Sequence, residues 1–94
     1  MIEAAQIRAA RALIGWSQTK LAEAAGVPLS TVDHFETNVL DSVPPAAIAK
    51  MGAALESAGI VFIPRNGGGA GVRLRKGDEA KYLGWDDLNA SNDE

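Results

Sequence analysis

The chain has 94 residues, one histidine, no cysteine and a net charge of −3. That length suits one domain with a modest core, and the lack of cysteine excludes disulfides and thiolate metal sites. No apolar run nears the roughly eighteen residues needed to span a bilayer, the start has no signal-peptide pattern, and a reducing cytoplasm is the expected compartment. Residues 1–40 set Arg8, Arg11 and Lys20 against Glu3, Glu23, Asp33 and Glu36, and residues 41–94 are also net acidic. Attraction to a polyanion must therefore be local rather than a property of the whole chain.

Residues 3–14 read as a helix. Ile7, Ala10 and Ile14 form its inner stripe, Gly15 stops it, and Trp16 fills the corner that follows. Leu13 lies off this stripe and needs its own cover. The stretch from Ser17 to Glu36, SQTKLAEAAGVPLSTVDHFE, organises the rest. It reads as helices over 17–25 and 28–36 joined by a tight turn. Ser17 suits an N-cap, because its hydroxyl accepts from a free amide two or three residues on. Lys20 stands where a capping-box Glu would complete the pair. Leu21, Ala22 and Ala25 give a small apolar face. Gly26 is placed to stop the helix in a left-handed conformation, Val27 plugs inward, and Pro28 can open the next helix. Val32 and Phe35 face the same core, and Asn38 is a second left-handed candidate.

Residues 39–45 form a loop in which Ser42 is the candidate cap and Pro44-Pro45 stiffen the entry. Residues 45–58 read as a fourth helix, with Ile48, Met51 and Leu55 on one face and Gly59 as its stop. Residues 60–63, IVFI, and 72–75, VRLR, read as strands. The glycines between them resemble a phosphate cradle, but no GK[ST] follows and no helix opens there, so a hairpin turn is the better reading. A lone hairpin is marginal in water. It should dock over Leu13 or pair with another copy. The run Ile60-Val61-Phe62-Ile63 is apolar on both faces and is an aggregation risk as an open edge, which points to a homodimer built through the hairpin. The competing cover is Tyr82, Leu83 and Trp85 from the acidic segment 77–94, where Leu88 is a further apolar anchor. The expected organisation is residues 1–59 as a helical body, 60–76 as a hairpin of the same domain, and 77–94 as an acidic tail.

The set Gln18, Leu21-Ala22, Gly26-Val27, Thr31-Val32 and Phe35-Glu36 resembles the Xre-type, phage-repressor/Cro-like helix-turn-helix family, and the likeness runs from about Gln6 to Leu55. The hairpin resembles a subgroup that ends this way. The resemblance implies a mainly α fold: a four-helix lambda-repressor-like domain with a C-terminal β-hairpin. It implies a pair between Arg11 and Glu36, bridging the first and third helices. It also assigns DNA contacts to Ser17, Gln18, Leu29, Ser30, Thr31, Asp33 and His34. Ser17 and Gln18 would meet a phosphate at a helix N-terminus. Leu29 suits a thymine methyl, Ser30 is permissive, Asp33 can accept from a cytosine amino group, and His34 can donate or accept. No arginine or glutamine stands on that face to give a readable base preference. The loop departs from the family pattern too: in place of arginines or lysines that grip the backbone it offers only Asp41.

The resulting expectation is a sequence-specific DNA-binding transcriptional regulator that acts as a homodimer on double-stranded DNA, with no cofactor, metal or membrane. The alternatives are the antitoxin of a toxin–antitoxin pair, with a toxin as protein partner, and a helix-turn-helix body kept as a protein-interaction module. Enzymatic readings are weak. His34 has no carboxylate partner at metal spacing, and Ser30, Asp33 and His34 on one short helix make no catalytic pocket.

Overall fold

Helix α1, Ala4–Ile14, is opened by Glu3. The Glu3 amide donates to Gln6 Oε1 at 2.8 Å while the Glu3 side chain accepts from the backbone of Gln6, a reciprocal capping box. Gly15 ends the helix at φ 69°, a left-handed conformation that glycine adopts without strain. The computed structural model describes residues 2–77. The other elements are α2, Gln18–Ala25; α3, Leu29–Glu36; a 3-10 turn, Leu40–Ser42; α4, Pro45–Ser57; and strands β1, Ile60–Ile63, and β2, Gly71–Leu74. Tyr82, Leu83, Trp85 and Leu88, named above as a possible cover for the hairpin, lie outside the described residues.

Two boundaries differ from the sequence reading for one reason. Pro28 is the N-cap of α3 rather than its first residue, and Pro44 rather than Ser42 is the N-cap of α4. Both prolines have ψ near 147°, extended as an N-cap requires. Pro45 then takes the first helical position, where its missing amide leaves nothing to cap. Ser42 falls in the 3-10 turn. Strand β2 is shifted one residue earlier than expected and ends at Leu74.

The core collects one face from each helix α1 to α4 and from both strands. Ile7, Leu21, Val32, Met51 and Leu55 are completely buried, and Ile14 and Phe35 nearly so. Val27 and Ile48, expected inside, are only half-buried at the edge of this cluster. Val43, Ala47, Ile60 and Leu74 complete it. Val32 at zero exposure fits the helix-turn-helix reading, because that position must hold α3 against the body. Gly52 is buried where the N-terminal segment crosses α4: a Cβ there would come within 2.5 Å of Ile2 Cδ1. A side chain at 52 would require the end of the Ile2 side chain to turn aside.

The hairpin is antiparallel, with Ile60 opposite Leu74 and Phe62 opposite Val72. These four pack inward on the core, with β2 against α1 and β1 against α4. Val61, paired with Arg73, and Ile63, paired with Gly71, alternate onto the other face. Gln6 fixes the docking. Its buried amide donates to Ile63 O at 3.1 Å and to Gly71 O at 2.9 Å. One side chain thus caps α1 and ties both strands to it. Arg65 adds a bidentate pair to Glu3 at the exposed turn end, which lowers the Glu3 carboxyl and raises the Arg65 guanidinium through their mutual hydrogen bonds. Leu13 is half-buried against the core cluster.

Candidate nucleic-acid interface

The turn between α2 and α3 sets the geometry. Gly26, at φ 72°, donates to Ala22 O and Glu23 O, and the Val27 amide returns to Ala22 O at 3.1 Å. This closure reverses the chain after α2 and swings α3 across the body. Ala22 is buried and small, so α2 and α3 approach closely. At the start of α2, Ser17 Oγ accepts from the Lys20 amide at 3.0 Å. One of the free amides of that helix end is thereby satisfied. The Lys20 ammonium sits 5.6 Å from the centre of the half-buried Trp16 ring, a cation–π distance.

α3 divides into two faces. Thr31, Val32, Phe35 and Glu36 are buried, whereas Leu29, Ser30 and Asp33 are exposed and His34 is half-buried. Thr31 therefore departs from the outward set expected of it. It lies one helical turn before Phe35, and that spacing puts it on the inward face. Leu29 keeps about half its surface in solvent, at 48 %. Ser17 is exposed and Gln18 half-buried at the neighbouring helix start. The helix ends at Thr37, whose Oγ1 donates to Asp33 O at 2.8 Å, and Asn38 takes the left-handed φ of 64°.

The brace behind α3 is built on Glu36. Arg11 donates from Nε to Oε2 and from a terminal nitrogen to Oε1, both at 2.7 Å, and Gln18 Nε2 donates to Oε1 at 3.1 Å. Arg8 donates to the Glu36 carbonyl, placing a cation at the C-terminal end of α3 where the helix dipole favours it. Arg11 also reaches Trp16 O at 3.0 Å. Burial by itself raises the Glu36 carboxyl. The hydrogen bonds from Arg11 and Gln18, with the charges of Arg11 and Arg8, outweigh burial and hold it below the usual carboxylate range. The bond to Glu36 raises the Arg11 guanidinium against its own desolvation. The side chain of Glu36 is 3 % exposed, so this is an internal strut that locks α1, α2 and α3 at the angle the turn sets.

Gln18 is thus part of the strut as well as a candidate phosphate contact. One of its amide hydrogens goes to Glu36, and its second remains for a partner. The roles of Arg8 and Gln6 were absent from the sequence reading. An arginine three residues before Arg11, on the same helix face, was the available signal for Arg8. Gln6 had none beyond its place at the third helical position, where a capping box wants Glu or Gln. Among the described residues no helix is long and apolar enough to cross a membrane.

Among curated proteins no match is found for this chain. The sequence profile of the HTH_3 helix-turn-helix family matches residues 7–57, a span that begins in α1, ends with α4 and contains the Glu36 strut, the Gly26 turn and the exposed face of α3. With more than half its length covered by that match and its four helices in the corresponding order, the chain belongs to the HTH_3 family, the lambda-repressor-like helix-turn-helix proteins that bind DNA.

Proposed function

We propose that this protein is a sequence-specific transcriptional regulator that binds double-stranded DNA as a homodimer, with the exposed face of α3 in the major groove. The observation that carries the reading is the pairing of a rigid back with an open front. Glu36 is strutted by three side chains behind α3, while Leu29, Ser30 and Asp33 stand exposed before it. A recognition helix needs both, since base contacts are made only if the helix is held in register. In this reading Ser17 and Gln18 meet a phosphate, Leu29, Ser30, Asp33 and His34 meet base edges, and Thr31 supports them from within.

Selection of bound duplexes from a random pool is the direct test. Ser30→Glu is expected to weaken binding to any selected site by more than tenfold, because it sets a carboxylate against phosphates. With about three phosphates met per subunit, the log–log salt slope of a dimer is expected near −5. A slope near zero, or unchanged affinity in Ser30→Glu, would favour a protein-interaction module instead.

The dimer rests on the hairpin. A two-stranded sheet has two outer edges, and Ile63 keeps 38 % of its surface exposed beside one of them. Pairing of β1 about a two-fold axis satisfies the edge beside Ile63 and doubles the number of base pairs read. Light scattering at micromolar concentration should give twice the 9.8 kDa chain mass. A clean monomer mass would sink the dimer.

A further inference from the structure

The reading face is short of positive charge. Ser17, Gln18, Leu29, Ser30, Asp33 and His34 include no lysine or arginine, and the loop after α3 adds Asp41. The helical body has few cations to lend. Arg8 and Arg11 are drawn onto Glu36, and Lys20 lies over Trp16. By contrast, residues 59–77 contain Arg65, Arg73, Arg75 and Lys76 and no acidic residue at all. Arg65 is held by Glu3 at the turn end. Arg73 and Lys76 are exposed, and Arg73 alternates with the inward-facing Val72 and Leu74, so it stands on the face turned away from the core.

The direction of β2 decides where these charges lie. The turn end of the hairpin meets Glu3 through Arg65, and Gly71 meets Gln6, so β2 starts at the N-terminal end of α1 and runs along that helix away from it. The strand ends at Leu74, and Arg75 and Lys76 continue past it into a turn.

We propose that Arg73 and Lys76, at the end of β2, form a second contact with the phosphate backbone of the DNA that α3 reads, supplying charge the helix-turn-helix face lacks. This rests on the DNA-binding reading above. Pairing of β1 edges in a dimer leaves β2 available for this contact.

The test uses the full chain and fluorescence anisotropy with two labelled duplexes, one selected and one random, between about 50 and 300 mM KCl. Each phosphate contact removed lowers the slope by about one and weakens binding uniformly across sequences. Arg73→Ser with Lys76→Ser should therefore flatten the slope by about two per chain on both duplexes, with melting temperature and mass unchanged. Arg65→Ser, at the opposite end of the hairpin, should leave the slope as it is. An unchanged slope in the double variant overturns the proposal. So does a shift in Arg65→Ser equal to that in Arg73→Ser alone, which would mean that only total charge matters. If Ser30→Glu weakens binding while the double variant does not, the hairpin contact fails and the α3 reading stands. If the unaltered protein binds neither duplex at the lowest salt, both fall together.

Discussion

Arg11→Ala should destabilise the protein by about 3–5 kcal/mol, because it leaves the buried Glu36 carboxylate without its cation. Gln18 and Arg8 remain, but one amide hydrogen and a guanidinium bonded to the Glu36 backbone carbonyl do not replace a bidentate charge pair on the carboxylate. Urea unfolding at pH 7 measures the loss, and a change below about 1 kcal/mol would show that Glu36 is solvated after all. The pH dependence has a definite sign. In the unaltered protein Glu36 is held below its unfolded value near 4.3, so its contribution is complete above that value and is lost as pH falls through the lowered folded value. Without Arg11, burial acts with less opposition and the carboxyl rises. The gap between the two proteins should therefore narrow as pH falls from about 7 toward 3. Replacing both members, Arg11→Met with Glu36→Met, should recover most of the loss, since two apolar groups leave no unpaired charge. The same double variant should still bind DNA poorly, because the strut also sets the angle of α3.

Gln6→Leu should cost about 2–4 kcal/mol. Leucine fills similar volume but withdraws the donor shared by the Ile63 and Gly71 carbonyls and the acceptor for the Glu3 amide. Each buried polar group left unmade costs about 1–3 kcal/mol, and the partly exposed ends of the strands fall toward the low side of that range. The damage should be local first. Hydrogen exchange should quicken at the β1 and β2 amides before the amides of α2 and α3. If the hairpin builds the dimer, the mass should drop toward the monomer as the hairpin loosens. Equal protection in both regions, with stability within about 0.5 kcal/mol, would mean that apolar contacts alone hold the hairpin in place.

How much of this was legible in the sequence follows the range of each interaction. The helix ends were plain because each is decided within three or four residues: Ser17 caps over Lys20, and Gly15, Gly26 and Asn38 take positive φ where the chain must turn. The inward stripe of Ile7, Ile14, Leu21, Val32, Phe35, Met51 and Leu55 was plain because helical spacing alone sorts buried from exposed. The Arg11–Glu36 pair came through resemblance, since two charges twenty-five positions apart have no local signature. The prolines misled at two boundaries, because the fixed φ of proline suits the N-cap as well as the first helical position.

By itself, then, the sequence determined the four helices, the turn between the second and third, the two strands and most of the core, all from patterns that repeat along one segment. Only the tertiary structure decided that Gln6 ties both strands to α1, that Arg8 closes the end of α3, that Thr31 turns inward, and that the turn end of the hairpin meets Glu3 through Arg65. Those four depend on which helix end meets which strand. The meeting is set by the shape of the whole core, and no residue's neighbours along the chain record it.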